Sequence, residues 1–203
     1  MAKKVGIAYL DTGAMYRAVT YEALKKGINL HKDEELGELV RGLDLRVKTS
    51  PSGETLTFIG DLDVTPFIRT PEINQNVSFV AESPSVRREL VKIQQKLGEA
   101  GGIVMDGRDI GTRVLPHAPF KFFLTASLAE RARRRFLEMK DKDPHLQVED
   151  VEKDISRRDG IDSTRKVDPL KAAPDSCFID TTDLTAGQVI DLIVSKILGK
   201  SRG

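Results

Sequence analysis

A recurring rhythm constrains this chain more than any other feature. Short apolar runs at 5–8, 103–106, 120–124 and 177–180 are separated by longer stretches with helical spacing. Runs of this length between helical segments read as buried strands of a parallel sheet, because crossover helices hide both faces of such a strand. The fold class is therefore α/β. Start signals locate the helices: Ser83-Pro84 precedes a helix over 86–97, Ser127 with Glu130 precedes one over 131–139, and Thr185 with Gln188 opens the last. In that last helix Val189, Leu192, Ile193 and Ile197 recur at three- and four-residue steps, giving one apolar face to lay on a sheet.

The rhythm breaks between residues 41 and 65. Short strands over 45–48, 55–59 and 62–64, joined by turns at 51–53 and 60–61, read as an antiparallel insertion. This leaves 1–40 and 66–203 as the core domain, to which a helix started by Thr70-Pro71 returns the chain. The stretch 140–154 is polar, with helical character resuming near Val148, and 131–165 reads as a short lid. A length of 203 residues suits one domain with an appendage. A formal charge of +1 and 5% aromatics argue against a nucleic-acid-binding module. One cysteine, Cys177, excludes an internal disulfide and reads as core. His31, His117 and His145 lack metal-ligand spacing. With no apolar run near the ~20 residues that span a bilayer, and no secretory pattern in the first residues, the expectation is a cytoplasmic monomer without membrane or nucleic-acid partners.

Three constellations pair carboxylates with guanidinium groups: 11–17, 106–111, and Arg158-Asp159 followed by Asp162 and Arg165. The second follows an apolar strand, so Asp106, Arg108 and Asp109 project from a carboxyl end, where open α/β sheets place ligands. Arginine's planar fork suits phosphate, and aspartate accepts from an exocyclic amine or a ribose hydroxyl. Together they suit a nucleotide. Taken singly, each also reads as a surface ion pair, and Arg131, Arg133, Arg134 and Arg135 as a solvated helix face.

In order, Tyr9-Leu10-Asp11-Thr12-Gly13-Ala14-Met15-Tyr16-Arg17, Ile68-Arg69-Thr70-Pro71-Glu72, Val104-Met105-Asp106-Gly107-Arg108-Asp109-Ile110-Gly111-Thr112, and the run from Arg158 to Arg165 resemble bacterial cytidylate kinases over nearly the whole chain. The resemblance implies a P-loop nucleoside monophosphate kinase fold: a five-stranded parallel sheet flanked by helices, a small antiparallel monophosphate-binding insertion and a short lid. It implies phosphoryl transfer from ATP to CMP or dCMP with Mg²⁺. By position, Ser78, Arg87 and Asp109 match the cytosine readers, and Asp162 with Arg158 the sugar anchor. Arg17, Arg108 and Arg165 match the cations on the acceptor phosphate. Asp11, Thr12 and Tyr16 complete the substrate site. Arg131 and Arg134 are assigned to the donor side or lid, and Asp106 to the Mg²⁺ shell.

Two departures stand out. The family's glycine-rich loop ending in Gly-Lys-Ser/Thr, which cradles ATP phosphates, does not occur in these 203 residues. A parallel crossover needs at least about 10 to 12 residues, so a first strand running straight into the second is too abrupt. The expectation is that about 20 residues carrying loop and first helix belong between Ala8 and Tyr9. If the loop is truly absent, the alternative is a noncatalytic CMP-binding or regulatory protein. Secondly, Asp168 stands where the family commonly has alanine before the proline, and is expected to lie beyond the contacts.

Overall fold

The first apolar run, 5–8, does not form a strand: Val5 ends a helix and only Ala8 is extended. In the computed structural model, which describes residues 1–50, 53–141, 143 and 145–200, Ala2–Val5 forms one turn, α1. Gly6 closes it in the left-handed conformation, φ 69°. Ala2, Lys3 and Lys4 are good helix formers, and a glycine directly after them is the usual C-terminal stop. The chain then enters β1, Ala8–Asp11, whose residues pair in parallel register with β5, Ile103–Asp106. Ala8 and Tyr9 are consecutive residues of this one strand, facing Ile103 and Val104. The expected strand at 5–8 is thereby overturned, since only Ala8 of that run is extended.

α2, Thr12–Lys25, follows β1 without a loop, because the Asp11 carboxylate accepts from the Ala14 N–H at 3.2 Å and caps the helix. After α3, Asp33–Arg41, come β2, Leu45–Thr49, β3, Thr55–Ile59, and β4, Leu62–Asp63, in one antiparallel sheet ordered β2-β3-β4. Two residues of the turn expected at 51–53 and two of the polar stretch 140–154 lie outside the described residues. Thr70 caps α4, Pro71–Glu82, and Ser83 caps α5, Pro84–Glu99, each hydroxyl accepting from a backbone N–H three residues on. Beyond β5, Ile110–Val114 makes one wide helical turn in which the Val114 N–H reaches back to the Asp109 carbonyl. Then follow β6, Phe122–Thr125, α6, Leu128–Met139, α7, Val148–Thr164, β7, Cys177–Asp180, and α8, Ala186–Lys200.

The protein is α/β, but the five-stranded parallel sheet is not formed among the described residues. β1 pairs only with β5, and β6 only with β7, both in parallel. The segment expected to supply a further strand is α1 and its link to β1. These two-stranded pairs are covered less completely than a wide sheet would be. Leu124 is 49% exposed and Phe178 62%, and Cys177 is half-buried, against the expectation of strands hidden on both faces. The core sits instead among α2, α3, α4 and α5 and the antiparallel sheet, where Met15, Val19, Leu36, Val64, Val80, Val86 and Leu90 are fully enclosed.

Arg134 belongs to this architecture. Its Nε donates to Glu130 at 2.7 Å, and Nη2 donates to the carbonyls of Thr181 at 2.6 Å and Leu184 at 3.1 Å. It ties α6 to the loop after β7. Glu130 is drawn to Arg133 and Arg134, whose hydrogen bonds hold its carboxyl down at about 2, and so does not close the expected capping box with Ser127. The Ser127 N–H donates to Thr182 instead. The nitrogens of Arg134 are thus all engaged by the chain itself.

Leu90→Ala, which empties a fully enclosed site, is expected to lower unfolding free energy by about 2–5 kcal/mol in urea denaturation. Arg134→Ala is expected to cost about 2 kcal/mol in the same measurement, through the lost charge-assisted bonds to buried-loop carbonyls. No change for Arg134→Ala would show the clamp to be idle.

Candidate active site

The ends of β1 and β5 lie side by side, so Asp11 and Asp106 fall in register at the carboxyl edge of the parallel pair. Their packing is tight: the Thr12 hydroxyl donates to the Asp106 carbonyl at 2.7 Å, and a Cβ at Gly107 would lie 2.4 Å from that hydroxyl oxygen. Asp11 pairs with Arg69 at 2.6 Å, and Asp106 accepts from the Tyr9 hydroxyl at 2.8 Å. Burial, reinforced by the neighbouring Asp11, pushes the Asp106 carboxyl up from its ordinary value. Burial and the nearby Asp106 raise the Tyr9 phenol as well.

A cleft opens over this edge. All eleven residues expected to hold substrate line it: Asp11, Thr12, Tyr16 and Arg17 from the start of α2; Ser78 and Arg87 from α4 and α5; Arg108 and Asp109 after β5; and Arg158, Asp162 and Arg165 from the end of α7. Asp106 lies at its floor. Arg131 and Arg134 do not line it; Arg131 pairs with Asp159 at 2.5 Å and joins α6 to α7.

One side of the cleft is a buried ionic network. The Arg87 side chain, 1% exposed, donates through Nη2 to Asp109 Oδ2 and through Nη1 to the Ala81 carbonyl at 3.2 Å. Asp162 accepts from Arg108 Nε at 2.9 Å and from Arg165 Nη1 at 3.1 Å. The carboxyl of Asp109 is raised by burial, against the lowering pull of Arg87 and Arg165. Tyr16 packs beneath Arg87, its ring centroid 5.7 Å from the guanidinium carbon. Burial pushes its phenol up to about 12.

The opposite side is cationic, with carboxylates nearby but none in a direct ion pair with Arg17 or Arg158 among the described residues. Arg17 is buried and donates to the side-chain oxygen of Asn74; burial, with Arg158 and Arg69 adding to it, pulls its guanidinium down to about 10. Arg158 is lowered by burial and by Arg108, and its Nε has no hydrogen-bond partner among the described residues. Neither forms an ion pair among those residues. Around the whole cleft six arginines face four aspartates. A buried cation that no carboxylate pairs directly is costly, and the arrangement is what a doubly charged anion would complete.

Sequence reasoning missed Arg69, Asn74 and Asp168. Arg69 adjoins the Thr70-Pro71 cap, and Asn74 lies one turn into α4, so both could have been found by asking which residues that helix start turns toward Asp11 and Arg17. Asp168 does not lie beyond the contacts: its carboxylate reaches Arg87 Nε at 3.4 Å. Among the described residues, no group of three or more histidine, cysteine or acidic side chains is arranged to hold a metal by itself, and no helix is long and apolar enough to cross a membrane.

Comparison with known proteins agrees with the geometry. The family model for cytidylate kinase matches residues 1–198. The cytidylate kinase of Bacillus subtilis is 48% identical over 202 residues, covering 100% of this chain and 90% of that relative. Those of Anoxybacillus flavithermus, 46% identical over 203 residues with 100% and 90% covered, and of Caldanaerobacter subterraneus, 47% over 203 residues with 100% and 88% covered, are similar. With an ionic cleft built from the same segments that carry the sequence match, the chain belongs to the cytidylate kinase family.

Proposed function

We propose that this chain transfers the terminal phosphoryl group of ATP to CMP, and to dCMP. The observation that carries the reading is the excess of arginine over aspartate around the cleft, concentrated at the Arg17 and Arg158 side. A nucleoside monophosphate supplies the missing negative charge at one end. At the other, Asp109 accepts from the cytosine amino group, with Ser78 and Arg87 facing the ring acceptors. Uracil presents a carbonyl where cytosine has its amine, so the Asp109 carboxylate repels it. Asp162 and Arg158 hold the sugar side, and Arg17, Arg108 and Arg165 the phosphate. Asp11, Thr12 and Tyr16 form the wall between them. In this reading 41–65 closes over the monophosphate and 131–165 acts as the lid, with Arg131 toward the donor.

Phosphoryl transfer needs little covalent help from the protein: catalysis comes from holding acceptor and donor in line and from fixed positive charge around the transferred group. Arg17, Arg108 and Arg165 orient the acceptor oxygens and offset their charge. Mg²⁺, when bound with the ATP phosphates, neutralises further negative charge. Asp106 fits such an ion, because it stands in register with Asp11, whose negative charge adds to its own, at the open end of the strand pair, and Mg²⁺ commonly takes only one or two protein carboxylates. The 203 residues contain no glycine-rich Gly-Lys-Ser/Thr loop, so backbone contacts of that kind to the donor phosphates are absent from them.

Coupled detection of ADP with CMP, ATP and Mg²⁺ tests the reading, with CMP-dependent turnover expected. CMP binding without turnover would leave a noncatalytic CMP-binding protein, and no CMP binding would defeat both. Asp109→Ala is expected to weaken CMP binding ten- to a hundredfold, about 1.4–2.8 kcal/mol, while raising the affinity for UMP, from which a repulsion is removed. Arg17→Ala should weaken CMP but not cytidine, as read by calorimetry. The ionised form of Asp109 is the acceptor, so CMP affinity should fall as pH drops through its pKa. Because burial raises that pKa, the fall should begin above the ordinary aspartate range and vanish in Asp109→Asn.

A further inference from the structure

Between the end of α7 and β7 the chain makes a sharp loop, and Asp168 is the one non-glycine residue in it, or elsewhere among the described residues, with positive φ, 45°. That backbone conformation costs most side chains energy, and aspartate is among the few that tolerate it. Its effect is to aim the Asp168 carbonyl back at α7. Arg165 donates to that one oxygen twice, from Nε at 2.9 Å and from Nη2 at 2.7 Å. The Leu170 N–H donates to the Asp162 carbonyl at 2.7 Å and closes the loop.

The side chain of Asp168 points the other way, across the cleft's back wall. Its Oδ2 lies 3.4 Å from Arg87 Nε and its Oδ1 3.6 Å from Arg113 Nε. Arg87 is the most completely buried charged side chain of the network, and its other two nitrogens are held by Asp109 and the Ala81 carbonyl. The Asp168 carboxylate therefore meets the one nitrogen of that guanidinium that neither Asp109 nor Ala81 holds. It also shares Arg87 with Asp109, so that Asp109 is not left as the sole counter-ion to a buried cation.

We propose that Asp168 is a positioning residue for nucleobase recognition: its carboxylate holds Arg87 so that Asp109 keeps an acceptor free for the base amine, while its carbonyl separately fixes Arg165 on the phosphate side. This rests on the CMP reading above. Without the carboxylate, Arg87 turns wholly to Asp109 and competes with the ligand for it. The loss falls on the base and not on the phosphate, since the Asp168 carboxylate touches none of Arg17, Arg108 and Arg165, and Arg165 is held by the backbone carbonyl, which does not depend on the side chain.

The two roles separate by substitution. Asp168→Gly accepts φ 45° without strain and keeps the carbonyl but deletes the carboxylate; Asp168→Asn keeps an oxygen toward Arg87. Two measurements on the full chain decide: calorimetric affinity for CMP and UMP, and the hydrogen exchange of the Arg87 and Arg165 Nε–H groups by NMR without ligand. Asp168→Gly should weaken CMP five- to tenfold and UMP hardly at all, and speed exchange at Arg87 but not at Arg165. Asp168→Asn should restore CMP binding to within about twofold of the wild type. Unchanged CMP affinity in Asp168→Gly, an equal loss for both nucleotides, or faster exchange at both arginines together would overturn the proposal. If the wild type binds no CMP, the nucleotide reading fails, and with it the recognition role. Exchange at Arg87 then still reports whether the carboxylate holds that side chain.

Discussion

Burying guanidinium groups is the constraint on which the rest of this structure depends. The side chains of Arg87 and Arg165 are 1% and 2% exposed, and taking such charges out of water is tolerable only where carboxylates and carbonyls are already waiting for them. Those partners come from four places in the chain: Ala81 at the end of α4, Asp109 after β5, Asp162 in α7 and Asp168 beyond it. The network thus fixes how the helical core meets the edge of the parallel pair. Breaking it from one side leaves the opposite charge buried and alone, which is why the elements around the cleft hold a common arrangement.

The electrostatic asymmetry of the cleft follows from the same rule applied unevenly. On the Asp109 side nearly every donor has an acceptor; on the Arg17 side, cations face each other. Arg17 is kept in place by Asn74, a neutral partner that orients the guanidinium without cancelling its charge. In the proposed CMP reading, the satisfied groups around Asp109 lie where the base is read, and Arg17, the least compensated cation, lies where the phosphate is held.

Much of this was legible in the sequence, and the failures have physical causes. Helix starts at Thr70, Ser83 and Ser127 were visible because a capping hydroxyl acts within three residues, and the antiparallel insertion because turn residues punctuate it. All the substrate-side residues lie in short segments whose order carries the family match, so their convergence could be expected although their contacts could not. Residues 5–8 were misread because a four-residue apolar run does not distinguish strand from helix end; Gly6, in the left-handed region, decided it. The clamp made by Arg134 could not be read, because a cluster of arginines does not say which one turns inward to carbonyls 47 to 50 residues away. Asp168 was passed over because a backbone carbonyl aimed by an unusual φ leaves no mark on residue type.

The contact between Gly107 and Thr12 reaches beyond this one chain. With so little room between the backbone after β5 and the first residue of α2, the two positions share a fixed volume. A bulkier residue at the first position would demand a smaller partner at the second, and would also forfeit the hydroxyl that fastens the two strand ends. Drift at these two places should therefore be coupled in descendants of this sequence, with the pair changing together or staying as it is.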